Sequence, residues 1–276
     1  MILVNGKKVE IEVFPNKESK IKDFIIGDNN VVDFYYEDDK DFVHLAFVKW
    51  DIDNNTITSE NTLRVMYMPY SRMDRKMASN DVHSLPYACK LINNLKFDKV
   101  IVLEPHSQES IRLLKNATAK YPVLEWVDRI VEETNFDKKT DCIVFPDYGA
   151  IDRYKAERIT KEFNYVFFKK KRDEATGWIT DMELEEVLPN GCKRAIIIDD
   201  LCSFGGTFFK AGIILRGLGV EDVTLVVTHL ENSVFQGKLL EKGVSPINRI
   251  YTSNSVIRDK ICDFIERINV LPINFE

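Results

Sequence analysis

The sequence predicts an α/β protein of two tandem domains, each built on a mostly parallel sheet flanked by helices. Short apolar runs alternate with helical spacings along the 276 residues, which is the rhythm of βα units. The run Ala195-Ile-Ile-Ile198 is continuous, as in strands covered on both faces, where neither side chain direction meets water. A hydrophobic content of 45% over this length is enough for two sizeable cores.

In chain order, residues 62–68 read as a strand, 85–95 as a helix and 100–103 as a strand. One helical pattern ends and another begins at 120–126, so the domains are expected at 1–125 and 126–276, with the final residues packing back on the first domain. No Pro/Gly/Ser-rich linker marks the boundary. The second series has a strand at 143–145, a helix at 150–163, a strand at 165–168, the Ala195 strand, a helix at 208–218 and a strand at 223–228.

A net charge of −6 argues against a nucleic-acid-binding surface. Cys89, Cys142, Cys192, Cys202 and Cys262 show no Cys-x-x-Cys spacing, and their odd number fits free thiols in a reducing compartment. No apolar run reaches membrane-spanning length, and Met1-Ile-Leu-Val-Asn-Gly-Lys-Lys8 lacks the charge-then-apolar order of a signal peptide. A cytoplasmic location without membrane or nucleic-acid partners is expected.

The chemistry concentrates after the Ala195 strand. Asp199 and Asp200 can accept hydrogen bonds from a vicinal diol, and Ser203-Phe-Gly-Gly-Thr207 leads into a helix. Glycines and a helix N-terminus at the carboxyl edge of a parallel sheet let backbone N–H groups approach a phosphate. A ribose phosphate suits the combination, although a capped helix and a plain turn would also explain it. Lys169-Lys-Lys-Arg172 reads as a basic loop, solvated unless phosphates lie beneath it, and Asp173–Gly177 continues it as a lid. His106, Asp147 and His229 each follow or end an apolar run, at the edge where such folds bind ligands.

Taken together these segments resemble the ribose-phosphate pyrophosphokinase family. Met68-Pro-Tyr-Ser-Arg-Met-Asp-Arg-Lys76 is similar to its Pro-Tyr-Ala-Arg-Gln-Asp-Arg-Lys segment, and Leu103-Glu-Pro-His106 to its strand ending in Asp-Leu-His. Pro146-Asp-Tyr-Gly149 resembles Pro-Asp-x-Gly, Lys170 and Arg172 match Lys-x-Arg, and Phe14-Pro-Asn-Lys-Glu18 resembles Phe-x-Asp-x-Glu. The order is the family's over nearly the whole chain. The resemblance implies two phosphoribosyltransferase-like domains, Mg2+ as cofactor, and transfer of the β,γ-diphosphoryl group of ATP to the anomeric hydroxyl of a ribose 5-phosphate moiety, releasing AMP. It assigns Lys170 and Arg172 to catalysis. Phe14, Asn16, Glu18, Arg72, Met73, Asp74 and His106 fall to ATP, with the first three reaching a neighbouring subunit's adenine. Asp147, Asp199, Asp200, Ser203, Phe204, Gly205, Gly206, Thr207 and His229 fall to the ribose phosphate, and His106 and Asp147 to the metal, His106 acting directly or through water. A homo-oligomer, dimer or higher, is implied.

Departures from the pattern bear on the acceptor. Phe204 stands where the family's phosphate loop has a hydroxyl donor, which weakens the match to a terminal 5-phosphate and offers an aromatic face. ADP-ribose, whose phosphate continues to an adenosine, fits that change, and small phage pyrophosphokinase-like proteins that make ADP-ribose 1-diphosphate for rebuilding NAD are the subgroup most resembled. The host cytoplasm would then be the location. Ribose 5-phosphate is the competing acceptor, and Phe204 packing against its own domain is the bland reading. Met73 for Gln, Asn16 for Asp and Glu104-Pro105 for Asp-Leu are further departures. The segment before Phe14 is short, so the family's amino-terminal strand and helix are expected to be mostly missing, together with its last helix and the classical hexamer. A phosphoribosyltransferase and an inert regulatory relative stand as alternatives.

Overall fold

Residues 1–55 begin with two antiparallel turns of chain before any helix forms. The computed structural model of the protein describes residues 1–275 apart from 23, 57–59, 77–79, 155–158, 173–178 and 258–265, and not the side chains of 172, 179 and 180. The chain divides into two compact units, Met1–Lys120 and Tyr121–Glu276.

In the first unit β1 (Ile2–Val4), β2 (Lys7–Lys8), β3 (Glu10–Val13), β4 (Ser19–Lys22) and β5 (Asn30–Phe34) precede α1 (Lys40–Asn55). Then come β6 (Asn61–Val65), α2 (Ser84–Asn94), β7 (Lys99–Leu103), α3 (Gln108–Leu113) and β8 (Ala117–Lys120). The sheet order is β2-β1-β5-β6-β7-β8, with β5 through β8 parallel and β1 antiparallel to both its neighbours. Asn5-Gly6, both at positive φ, forms the two-residue turn that closes β1 on β2. The residues before Phe14 are therefore three strands, with Ile2 and Val4 in the core, and the expected loss of an amino-terminal strand is corrected. That reading rested on length, whereas an Asn-Gly turn needs few residues to reverse a strand.

The second unit contains α4 (Val123–Glu133), β9 (Cys142–Phe145), α5 (Tyr148–Tyr154), α6 (Ile159–Glu162), β10 (Tyr165–Arg172) and β11 (Ile179–Leu184). It continues with β12 (Arg194–Cys202), α7 (Gly206–Gly217), β13 (Asp222–Leu230), β14 (Arg249–Thr252) and β15 (Ile268–Val270). Its strand order is β11-β10-β9-β12-β13-β14-β15, parallel throughout except for β11. Cys142, Val144, Ala195 and Ile197 join one buried cluster, while Ile143, Phe145, Ile196 and Ile198 join another. Successive strand side chains point to opposite faces, so continuous apolar runs supply both cores.

The chain leaves β9 toward β10 on one side, whereas β12 lies on the other. A crevice opens at such a reversal of strand order, beyond the carboxyl ends of the two strands. Of the helix expected at 150–163, α5 and α6 are described, and the residues between them lie outside those described. One expectation about this region is corrected. The basic run 169–172 is not a loop: it extends β10 and pairs antiparallel with β11, Lys170 opposite Met182. Among the described residues no helix is long and apolar enough to cross a membrane, and Cys89, Cys142, Cys192 and Cys202 are free thiols.

Candidate active site

Asp147 ends the chain's exit from β9. Its Oδ1 accepts the Ala150 N–H at 3.0 Å, which starts α5, and its Oδ2 takes Lys170 Nζ at 2.6 Å. Strand alternation explains the lysine: Lys169 and Lys171 point to solvent, leaving Lys170 turned inward at 8% side-chain exposure. Burial pushes the Asp147 carboxyl up, but the charge and hydrogen bond of Lys170, the Ala150 N–H and Arg153 together hold it below the ordinary carboxylate range.

Arg153, two turns along α5, reaches the other wall of the crevice. Its Nη1 donates to Asp199 Oδ1 at 2.9 Å and its Nη2 lies 3.0 Å from Asp200 Oδ1. Burial and then the neighbouring Asp200 charge drive Asp199 up to about 7, against the partial relief from Arg153. The sequence reading missed Arg153. Its signal was an arginine on the helix that follows Pro146-Asp147, but its partners lie 46 and 47 positions further on.

The loop 203–205 then connects β12 to α7. Gly205 is left-handed at φ +80, and a Cβ there would sit 2.7 Å from Leu239. Ser203 Oγ meets Ser233 Oγ at 2.9 Å, and a Cβ on Gly237 would fall 2.0 Å from the Phe204 carbonyl oxygen. The backbone of the loop is thus seated on the 232–239 segment, while the Phe204 side chain is 55% exposed. α7 opens at Gly206 with no side-chain cap, and Thr207 lies in its first turn. A Gly237→Ala variant is expected to lose about 1–3 kcal/mol from this overpacking and to raise the acceptor KM several-fold, checked by thermal denaturation and initial rates.

His229, near the end of β13, is buried, with Nδ1 2.8 Å from Ser255 Oγ. Phe14, Asn16 and Glu18 form the tip between β3 and β4: the Phe14 N–H donates to the Glu18 carbonyl at 2.9 Å, and Asn16 Nδ2 to Glu18 Oε2 at 2.7 Å. Arg72, Met73 and Asp74 follow β6, and His106 follows β7 after a buried Glu104 at φ 39, so these lie at the carboxyl edge of the first unit's sheet. The Arg172 backbone closes β10, and the expected lid residues 173–177 lie outside those described.

No protein-family model matches the chain. A ribose-phosphate pyrophosphokinase of Sulfurisphaera tokodaii is 30% identical over 262 residues, 91% of this chain and 86% of its own. The chain belongs to the ribose-phosphate pyrophosphokinase family. It is accordingly a diphosphotransferase. A family member from Pyrococcus furiosus is 28% identical over 267 residues, 96% of this chain and 90% of its own. The phosphoribosylpyrophosphate synthetase of Mycobacterium smegmatis matches at a TM-score of 0.76 over 96% of this chain and 85% of its own. At 18% identity that likeness shows a shared fold, with two units of phosphoribosyltransferase type.

Among the described residues no three His, Cys, Asp or Glu side chains converge into a metal cage. Mg2+ needs none, since it keeps several waters and takes one or two carboxylates together with substrate phosphates. The donor set at the crevice, all hard carboxylate oxygen, fits it.

Proposed function

We propose that the protein transfers the β,γ-diphosphoryl group of Mg-ATP to the anomeric hydroxyl of ADP-ribose, releasing AMP and giving ADP-ribose 1-diphosphate, from which nicotinamide could rebuild NAD. The observation that carries the choice of acceptor is the Phe204 ring. Its backbone is pinned at the ribose-phosphate loop while its face stays open, so packing within its own unit does not account for it. An adenosine beyond the 5-phosphate would gain apolar contact there, which a terminal phosphate would not.

In this reading Asp199 and Asp200 receive the ribose hydroxyls, and Gly205, Gly206 and Thr207 receive the 5-phosphate at the start of α7. The reaction forms a bond from the anomeric oxygen to the β-phosphorus and breaks the bond from that phosphorus to the AMP oxygen. Lys170 and Arg172 neutralise charge on the transferred group, and Arg72, with Met73 and Asp74, orients the ATP chain. Phe14, Asn16 and Glu18 hold the adenine. Asp147 would hold Mg2+ at the crevice, where the ion would screen phosphate oxygens, and His106 would serve the ATP chain at the sheet edge of the first unit. The second reading, ribose 5-phosphate as acceptor, is favoured by the names of the relatives.

Incubation with Mg-ATP and either sugar, with products resolved by mass spectrometry, tests the proposal. AMP is expected with ADP-ribose. Phe204→Ser should lower kcat/KM for ADP-ribose about 5-fold, an aromatic contact of about 1 kcal/mol, and spare or improve ribose 5-phosphate. AMP from ribose 5-phosphate alone would sink the ADP-ribose reading.

A further inference from the structure

Behind the phosphate loop runs a chain of hydroxyls that ends on a carboxylate. Glu231, the residue after β13, is fixed to the end of β12 by its N–H, which donates to the Cys202 carbonyl at 2.8 Å. A short 3-10 turn, Asn232–Gln236, then brings Ser233 back beside Glu231. Ser233 Oγ donates to Glu231 Oε2 at 3.2 Å and lies 2.9 Å from Ser203 Oγ, at the first residue of the loop. All three side chains are half-buried, so competing water is partly excluded from these contacts.

Proton counting sets the direction of the chain. A carboxylate oxygen only accepts, and a serine hydroxyl has one proton to give. The Ser233 proton is committed to Glu231, so Ser203 donates to Ser233 across the 2.9 Å contact. Ser203 therefore turns its proton away from the loop and presents lone pairs to whatever lies in front of it. The next residue, Phe204, has no hydroxyl. Neither of the first two side chains of the loop offers a donor, which leaves that task to the backbone N–H groups at the start of α7 and to Thr207.

That shortage discriminates between two kinds of phosphate. A terminal 5-phosphate carries close to two negative charges near neutral pH on three outer oxygens, and it is held best where several donors converge. A 5-phosphate bridged onward to a second phosphate has two outer oxygens and a single charge, and asks for fewer donors. Lone pairs on Ser203, with the Glu231 carboxylate behind them, oppose the first kind more than the second.

We propose that Glu231, acting through Ser233 on Ser203, determines acceptor specificity by setting the loop for a ribose whose 5-phosphate is bridged to a second phosphate, against a terminal 5-phosphate. The inference rests on the reading that the 203–207 loop receives the 5-phosphate, and hydrogen-bond direction carries it independently of the Phe204 ring. Glu231 and Ser233 are positioning residues, since they act through the Ser203 hydroxyl.

Glu231→Gln tests the relay because an amide can donate. Its NH2 gives a proton to Ser233, Ser233 gives its own to Ser203, and the Ser203 proton is released toward the loop. Ser233→Ala releases the same proton by removing its acceptor. Isothermal titration, with Mg2+ and α,β-methylene ATP present, reads the affinity for each sugar. Either variant should bind ribose 5-phosphate about 10-fold more tightly than the wild type, the scale of one hydrogen bond to a charged group, with ADP-ribose affinity changing about 2-fold at most. Adding Ser203→Ala to Glu231→Gln should abolish the gain, which the mere loss of a negative charge would not do. A partly unfolded variant lowers both affinities and so does not mimic the shift in their ratio. A Glu231→Gln chain that binds both sugars as the wild type does, or a gain that survives Ser203→Ala, would overturn the proposal. AMP from ribose 5-phosphate alone sinks the choice of ADP-ribose and leaves the affinity response to decide the relay, whereas binding of neither sugar by any of these chains overturns the phosphate role of the loop and the relay with it.

Discussion

Replacing Arg153 by methionine is expected to destabilise the protein by about 3–5 kcal/mol at neutral pH and above, the largest loss from any single side chain at the crevice. The arginine is 6% exposed and is shared between Asp199 and Asp200, themselves 15% and 5% exposed. Removing it takes the arginine's charge away from two adjacent carboxylates in a poorly hydrated site, and breaking a buried pair from one side carries that cost. Methionine fills similar volume, so packing loss is small and the charge term dominates. The loss should depend on pH with a definite sign. Burial and the Asp200 charge push Asp199 in the folded chain up to about 7, above an unfolded carboxylate at about 4, so the folded state binds this proton more tightly. Its contribution to stability is present at acid pH and is lost as pH rises through that window. Without Arg153 the folded value rises further. Urea denaturation should therefore show wild type and Arg153→Met converging near pH 5 and separating fully above about pH 8. Asp199→Asn with Asp200→Asn should recover much of the loss in the methionine background. A variant within about 1 kcal/mol of wild type at every pH would show that the pair does not depend on this cation.

The parts of this site differ in how far the residues announced them. Ala195-Ile-Ile-Ile198 and Cys142-Ile-Val-Phe145 were readable as doubly covered strands because burial on both faces abolishes the polar alternation, and the structure divides each run between two cores. The acidic pair, the glycine turn and the helix after them followed from local chemistry. Lys169–Arg172 was misread because four cations hide the period of two that places Lys170 inward, and because the strand is extended only by its pairing with β11. Arg153 was invisible for a related reason. Its role depends on carboxylates brought to it by the β9–β12 pairing, a contact that no local spacing encodes. Asn5-Gly6 is the opposite case, a turn signal that was present and went unread. What stayed hidden was consistently the product of pairing between distant strands, and the chemistry of the crevice is made there.

The double substitution Lys170→Ala, Arg172→Ala is expected to lower kcat by about 10^3-fold or more while the chain stays folded. A single positioned donor to developing charge supplies about 10^2–10^3-fold in a site shielded from water, and the diphosphoryl group carries more charge than one donor can neutralise. The structural cost should be smaller. Lys170 leaves behind Asp147, which is 38% exposed and can rehydrate, so a stability loss of about 1 kcal/mol is expected by urea denaturation. That contrast separates catalysis from support. Arg153→Met should act on stability and on acceptor KM through the orientation of Asp199 and Asp200, whereas the β10 variant should act on kcat with acceptor KM changed little. Asp147→Asn provides the complementary measurement: it frees Lys170 from its ion pair yet removes a carboxylate suited to Mg2+, so the Mg2+ concentration for half-maximal AMP release should rise. Unchanged AMP release by the double variant would remove Lys170 and Arg172 from the reaction and leave them as β10 residues that hold Asp147 and the hairpin in place.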